Sequence, residues 1–144
     1  MDDTAAALAE HARPLALTQT RSAGHDPAVD GVVPPDAAVV GVGEATHGTR
    51  EFGRVALRFV RHLVERRGFR TVAVEADVAA TLALDDRVSG VAAGGRPGEW
   101  PDAGDDETVV AEALPALGWR FDTEEWVALF AWLRTFNRGR PPAD

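Results

Sequence analysis

Three ionisable side chains stand where their types and spacing could do chemistry. Glu44 and His47 close the stretch Val39-Val-Gly-Val-Gly-Glu-Ala-Thr-His-Gly48, a β-branched run ending in a glycine-loosened corner. Glu75 closes a second apolar run, Thr71-Val-Ala-Val-Glu75. An imidazole with carboxylates beside it can take a proton from water, because the carboxylates hold its orientation and stabilise the imidazolium that forms. The rest of the inventory narrows the mechanism to activated water. Cysteine, lysine and tyrosine are absent, and Ser22 and Ser89 lie outside any Gly-x-Ser-x-Gly turn. Thiol, Schiff-base and serine-nucleophile schemes therefore have no residue to work with.

Other readings of the same residues stand beside this one. Glu44 can simply satisfy backbone N–H groups of a following helix, with His47 a turn residue. Glu75 tips the balance, since a carboxylate ending a buried run is costly unless something uses it. Glu-x-x-His is also a metal-ligand spacing in helical bundles, but no second Glu-x-x-His follows, so no metal is expected. Gly41-x-Gly43 hints at a dinucleotide loop, yet Thr46 stands at the third glycine and Glu44 would face the pyrophosphate.

The elements that must position these groups follow from periodicity. Residues 37–43 and 70–75 read as strands buried on both faces. Between them Phe52, Val55, Ala56, Phe59, Val60, Leu63 and Val64 recur at helical spacing, with Thr46 or Thr49 as cap and Gly68-Phe69 as a left-handed stop. The expected fold is α/β: a right-handed parallel strand–helix–strand core with flanking helices, placing Glu44, His47 and Glu75 along one sheet edge. A short helix on the core is expected at 4–12, a connection at 18–36, and helices at 78–88 and from 107 to near Gly118. In the last helix Asp122 should cap, Glu125 complete a capping box, and Phe121 staple to Trp126. Residues 90–106 hold five glycines, two prolines and four acidic groups and read as a mobile loop. His11 and His25 lack patterned neighbours and read as surface histidines.

Composition bounds the class. With 144 residues, 45% of them apolar, the chain makes one domain, residues 1–144. A formal charge of −8, from 23 acidic against 15 basic residues, disfavours nucleic acid and anionic membranes. No secretory leader or membrane-spanning run is evident, so a cytoplasmic protein is expected. Two parallel strands make a sparse sheet, and further strands are expected beyond Asp144.

Four blocks together resemble the erythromycin esterase family: Gly43-Glu-Ala-Thr-His-Gly-Thr-Arg-Glu-Phe52, Leu63-Val-Glu-Arg-Arg-Gly-Phe69, Val72-Ala-Val-Glu-Ala-Asp77, and Trp126 through Trp132-Leu-Arg-Thr-Phe-Asn137. The resemblance runs from about residue 34 to the end. It implies hydrolysis of a carboxylic ester or macrolide lactone, with antibiotic resistance as one outcome, by histidine-activated water and without an obligatory cofactor. It places the family histidine on His47 and its glutamates on Glu44 and Glu75. Of two arginines in Arg-x-Arg spacing, Arg54 matches the first, Ala56 occupies the second, and Arg58 is the candidate replacement for orienting substrate. The family continues further and carries a second histidine there, so the resemblance implies an amino-terminal portion with little activity alone. The implied partner is a small-molecule ester or lactone; oligomeric state is left open. A non-catalytic remnant or binding module is the alternative, and a metal-dependent hydrolase stands behind both.

Overall fold

Helices built from strong local signals account for the regular structure. The computed structural model describes residues 3–12, 26–90, 100, 104–138 and 140. Helix α1 spans Asp3–His11 and α2 Pro27–Asp30, followed by α3 at Arg50–Arg66, α4 at Val78–Ser89, α5 at Asp106–Ala113 and α6 at Glu124–Arg138. Two 3₁₀ turns, Leu114–Leu117 and Trp119–Phe121, link α5 to α6.

Side-chain caps define several boundaries. The Asp77 carboxylate accepts the Ala80 N–H at 2.9 Å, and the Asp105 carboxylate accepts the Thr108 N–H at 3.0 Å, so both helices begin on a satisfied donor. Gly68, at φ +75°, ends α3 in the left-handed region, and the Phe69 N–H turns back to the Leu63 carbonyl at 3.1 Å. Thr49 occupies the cap position of α3 without a side-chain capping bond; its hydroxyl pairs with that of Thr46 at 2.5 Å instead. Helix α6 starts at Glu124, later than an Asp122 cap would place it, and Thr123 supplies the first accepting carbonyl. The expected staple is present: Phe121 and Trp126 meet edge-on with centroids 5.1 Å apart.

Packing centres on α6, which touches α3, α4 and α5. Leu129, Phe130 and Leu133 of α6 join Leu57, Val64, Leu84, Val88, Val110, Leu114 and Phe121 in one core. A smaller cluster seats α2 on the far end of α3 through Val29, Val33 and Leu63. Helix α1 buries none of its residues, contrary to the expected docking; its alanines favour helix but offer little area to dock, and Leu8 is exposed.

The α/β class expected from the apolar runs is not what forms. Among the described residues there is no strand and no sheet, so the parallel strand–helix–strand core is replaced by a helical architecture. The runs at 37–43 and 70–75 are present as irregular, unpaired segments. Residues 71–76 still alternate: Val72, Val74 and Ala76 face the core while Thr71, Ala73 and Glu75 face out. The earlier run buries less, with Val39 86% exposed. Each run is covered on one face by helices, and two segments alone lack the neighbours that make a sheet stable. The proposed loop at 90–106 lies largely outside the described residues, as does His25. No helix among the described residues is long and apolar enough to cross a membrane.

Two close contacts set the helix packing. A Cβ added at Gly53 of α3 would stand 2.8 Å from the Glu125 Cβ of α6, so glycine lets the helices approach. Glu125, in turn, accepts a 2.8 Å bond from the Arg50 Nε of α3 rather than serving mainly as the expected capping-box partner. Farther along α6, Arg134 is fully buried, with its Nε donating to Asp106 at 2.8 Å and its Nη1 to the Arg87 carbonyl.

Glycine to alanine in a helix interior ordinarily stabilises by about 1 kcal/mol. Gly53→Ala is expected to reverse that sign, with a net loss of about 1 to 2 kcal/mol in urea unfolding, because two helix axes must part. Arg134→Met is expected to cost about 3 kcal/mol by the same measurement, since it removes the buried guanidinium from its pair with Asp106. Wild-type midpoints for either variant would refute the corresponding contact.

Candidate active site

The corner before α3 and the turn before α6 face one another across a pocket of about 300 Å3. Val42, Phe52, Ala56, Val74 and Trp126 supply its apolar floor, while Glu44, His47, Glu75 and Arg120 supply its polar groups. The three residues singled out from the sequence therefore line a common pocket, although no sheet edge carries them.

His47 is held by a defined bond. Its Nδ1 lies 2.5 Å from Glu44 Oε1, so the neutral ring donates through Nδ1 and keeps its lone pair on Nε2. The side chains of His47 and Glu44 are 49% and 28% exposed, which admits water to the imidazole. The spacing of the pair in the chain is that of residues around one turn, and Gly48, at φ +71°, completes the bend immediately after the histidine. Trp119 meets the imidazole edge-on, with centroids 6.0 Å apart and planes at 77°.

Glu75 follows the alternation of residues 71–76 and faces outward. Its side chain is 95% exposed, and Arg120 Nη1 stands 3.5 Å from its Oε2. The predicted cost of a buried carboxylate thus does not arise: solvent and a guanidinium satisfy it. Arg120 and Trp119 were not singled out from the sequence. The signal was Gly118-Trp-Arg immediately before a stapled helix, where Gly118, at φ +115°, reverses the chain.

The two candidate arginines of α3 have other company. Arg54 Nε lies 3.8 Å from Glu125 and is not among the pocket residues. Arg58 reaches in the opposite direction, with its Nη2 donating to Asp26 Oδ1 at 2.8 Å and its Nε to the other carboxylate oxygen. Asp26 also accepts the N–H groups of Ala28 and Val29, capping α2, and its own N–H donates to His62 Nδ1 at 3.3 Å. His62 Nε2 then donates to Asp30 at 2.8 Å. The arrangement fastens α2 to α3 away from the pocket. Among the described residues there is no group of three or more His, Cys, Asp or Glu side chains able to hold a metal ion.

The model of the family described as erythromycin esterase matches residues 64–144, more than half of the chain. The chain belongs to the erythromycin esterase family. Glu75, Trp119 and Arg120 fall inside the matched stretch of this family member, whereas Glu44 and His47 precede it. The match fixes the family and not which portion of it the chain represents. No solved structure matches the chain.

The Arg58 guanidinium holds the Asp26 carboxyl below the usual carboxylate range, against an opposing push from burial and with help from the α2 backbone N–H groups. Because the folded value is depressed, this stabilisation is complete above the unfolded value near 3.9 and is lost as pH falls through the folded one. Asp26→Asn is expected to lower stability at pH 7 by about 3 kcal/mol, leaving Arg58 buried without its partner charge. The gap between variant and wild type should begin to narrow as unfolding is repeated below the unfolded value near 3.9; a gap constant with pH would contradict the pairing.

Proposed function

We propose that the pocket is a hydrolytic site for a carboxylic ester or lactone, with His47 as general base. The observation that carries this reading is the Glu44–His47 bond, which leaves the imidazole lone pair on Nε2 beside a partly apolar pocket. Family membership supports a hydrolase of the erythromycin esterase type.

The chemistry closes without a covalent enzyme intermediate. His47 Nε2 removes a proton from water as the oxygen adds to the ester carbonyl carbon, and Glu44 stabilises the imidazolium. Negative charge developing on the carbonyl oxygen is met by Arg120, which Glu75 holds at the pocket. Collapse of the tetrahedral adduct breaks the C–O bond, and the imidazolium returns the proton to the departing alcohol. Ester and water become acid and alcohol, with the base regenerated. A macrolide lactone is one instance of this bond class, and the partner is a small molecule rather than a polymer. Arg54 and Arg58 are not assigned to substrate in this scheme, because each lies by a carboxylate outside the pocket.

Hydrolysis of p-nitrophenyl acetate and of erythromycin decides the matter. His47→Ala is expected to lower kcat at least 100-fold, and Glu44→Gln roughly 10-fold, with thermal midpoints unchanged because His47 is half exposed. Turnover by His47→Ala at the wild-type rate would remove the base. Binding of these esters without any turnover would select a non-catalytic module instead.

A further inference from the structure

Trp119 is left 72% exposed although an indole is among the side chains with most to gain from burial. Backbone features put it there. Gly118, at φ +115° and ψ 157°, takes a conformation that L side chains rarely adopt and turns the chain into the 3₁₀ segment Trp119–Phe121. Phe121 anchors that segment in the core, Arg120 lines the pocket, and Trp119, outside the lining, meets the lining residue His47. The indole also rests at Gly48, with Cζ3 3.5 Å from the position a Cβ would take. Its edge-on contact with His47 then fixes the ring next to the proposed base.

The pocket itself, at about 300 Å3, sits at the lower end of the range for small-molecule sites. It accommodates an ester group and a modest apolar substituent, and a larger substrate that extends past His47 would meet the indole. An exposed, backbone-positioned aromatic beside a reactive imidazole fits an apolar ring face better than a linear chain, because a flat surface offers area to a rigid partner at little entropic cost.

We propose that Trp119 is the specificity-determining platform of this site, receiving the ring of a ring-bearing ester while the carbonyl faces His47. This rests on the reading of His47 as the base. The indole acts by contact with substrate, so its removal is felt more by cyclic substrates than by small acyclic ones.

The test compares cyclohexyl acetate with ethyl acetate, and uses N-cyclohexylacetamide as an uncleaved analogue. Trp119→Ala is expected to lower kcat/KM on cyclohexyl acetate about tenfold more than on ethyl acetate, and to weaken the Kd of the amide by a similar factor in calorimetry. Trp119→Phe should recover most of both effects. Equal losses on the two esters, or an unchanged amide Kd, would overturn the assignment. The amide measurement does not involve turnover, so it judges Trp119 even if His47→Ala were to disprove the base; loss of hydrolysis in His47→Ala with an unchanged amide Kd in Trp119→Ala would sink the platform alone.

Discussion

The seating of α3 on α6 is the constraint from which the site follows. Gly53 permits the approach, and Glu125 occupies the gap with its carboxylate turned to Arg50. Both residues lie near the amino ends of their helices. Whatever precedes α3 must therefore face whatever precedes α6: on one side the corner with Glu44 and His47, on the other the turn with Trp119 and Arg120. Groups more than seventy residues apart meet because two helix ends are pinned, while the bond between Glu44 and His47 is purely local. The family match adds that the second side of the pocket belongs to the stretch shared with erythromycin esterases.

Arginine supplies every cationic side chain, and its planar fork suits the positions it takes. Arg58 grips both oxygens of Asp26, Arg134 bridges Asp106 and a backbone carbonyl, and Arg50 reaches Glu124 and Glu125. Such pairs offer limited net stability when intact, yet removing one partner from a buried pair is costly, so they act mainly to fix which helix faces which. The pocket differs. Its Arg120–Glu75 contact is longer, and Glu75 is almost wholly exposed, so solvent screens that pair far more than the others.

Much of the helical framework was readable before any packing was known. The apolar recurrence from Phe52 to Val64, the Gly68-Phe69 stop, and the Phe121–Trp126 staple all depend on neighbours within a few positions, and each is found. The same holds for Glu44 and His47, whose contact spans a single turn. The β-branched runs misled for a definite reason. Val39, Val40 and Val42 favour extended backbone, but becoming a strand requires hydrogen-bonding neighbours that composition does not supply. The Glu125 capping box failed on similar grounds: a distant Arg50 competed for the carboxylate.

Local chemistry, then, decided where most helices begin and end, and that an imidazole would sit against a carboxylate. It did not decide that the extended runs stay unpaired, that Arg58 turns to Asp26 and away from the pocket, or that Arg120 and Phe121 complete the other wall. Those outcomes depend on contacts between segments tens of residues apart, whose free energies are settled by shape and burial after the helices have packed. A periodic pattern records which face of a segment is apolar; only the assembled molecule determines what covers it.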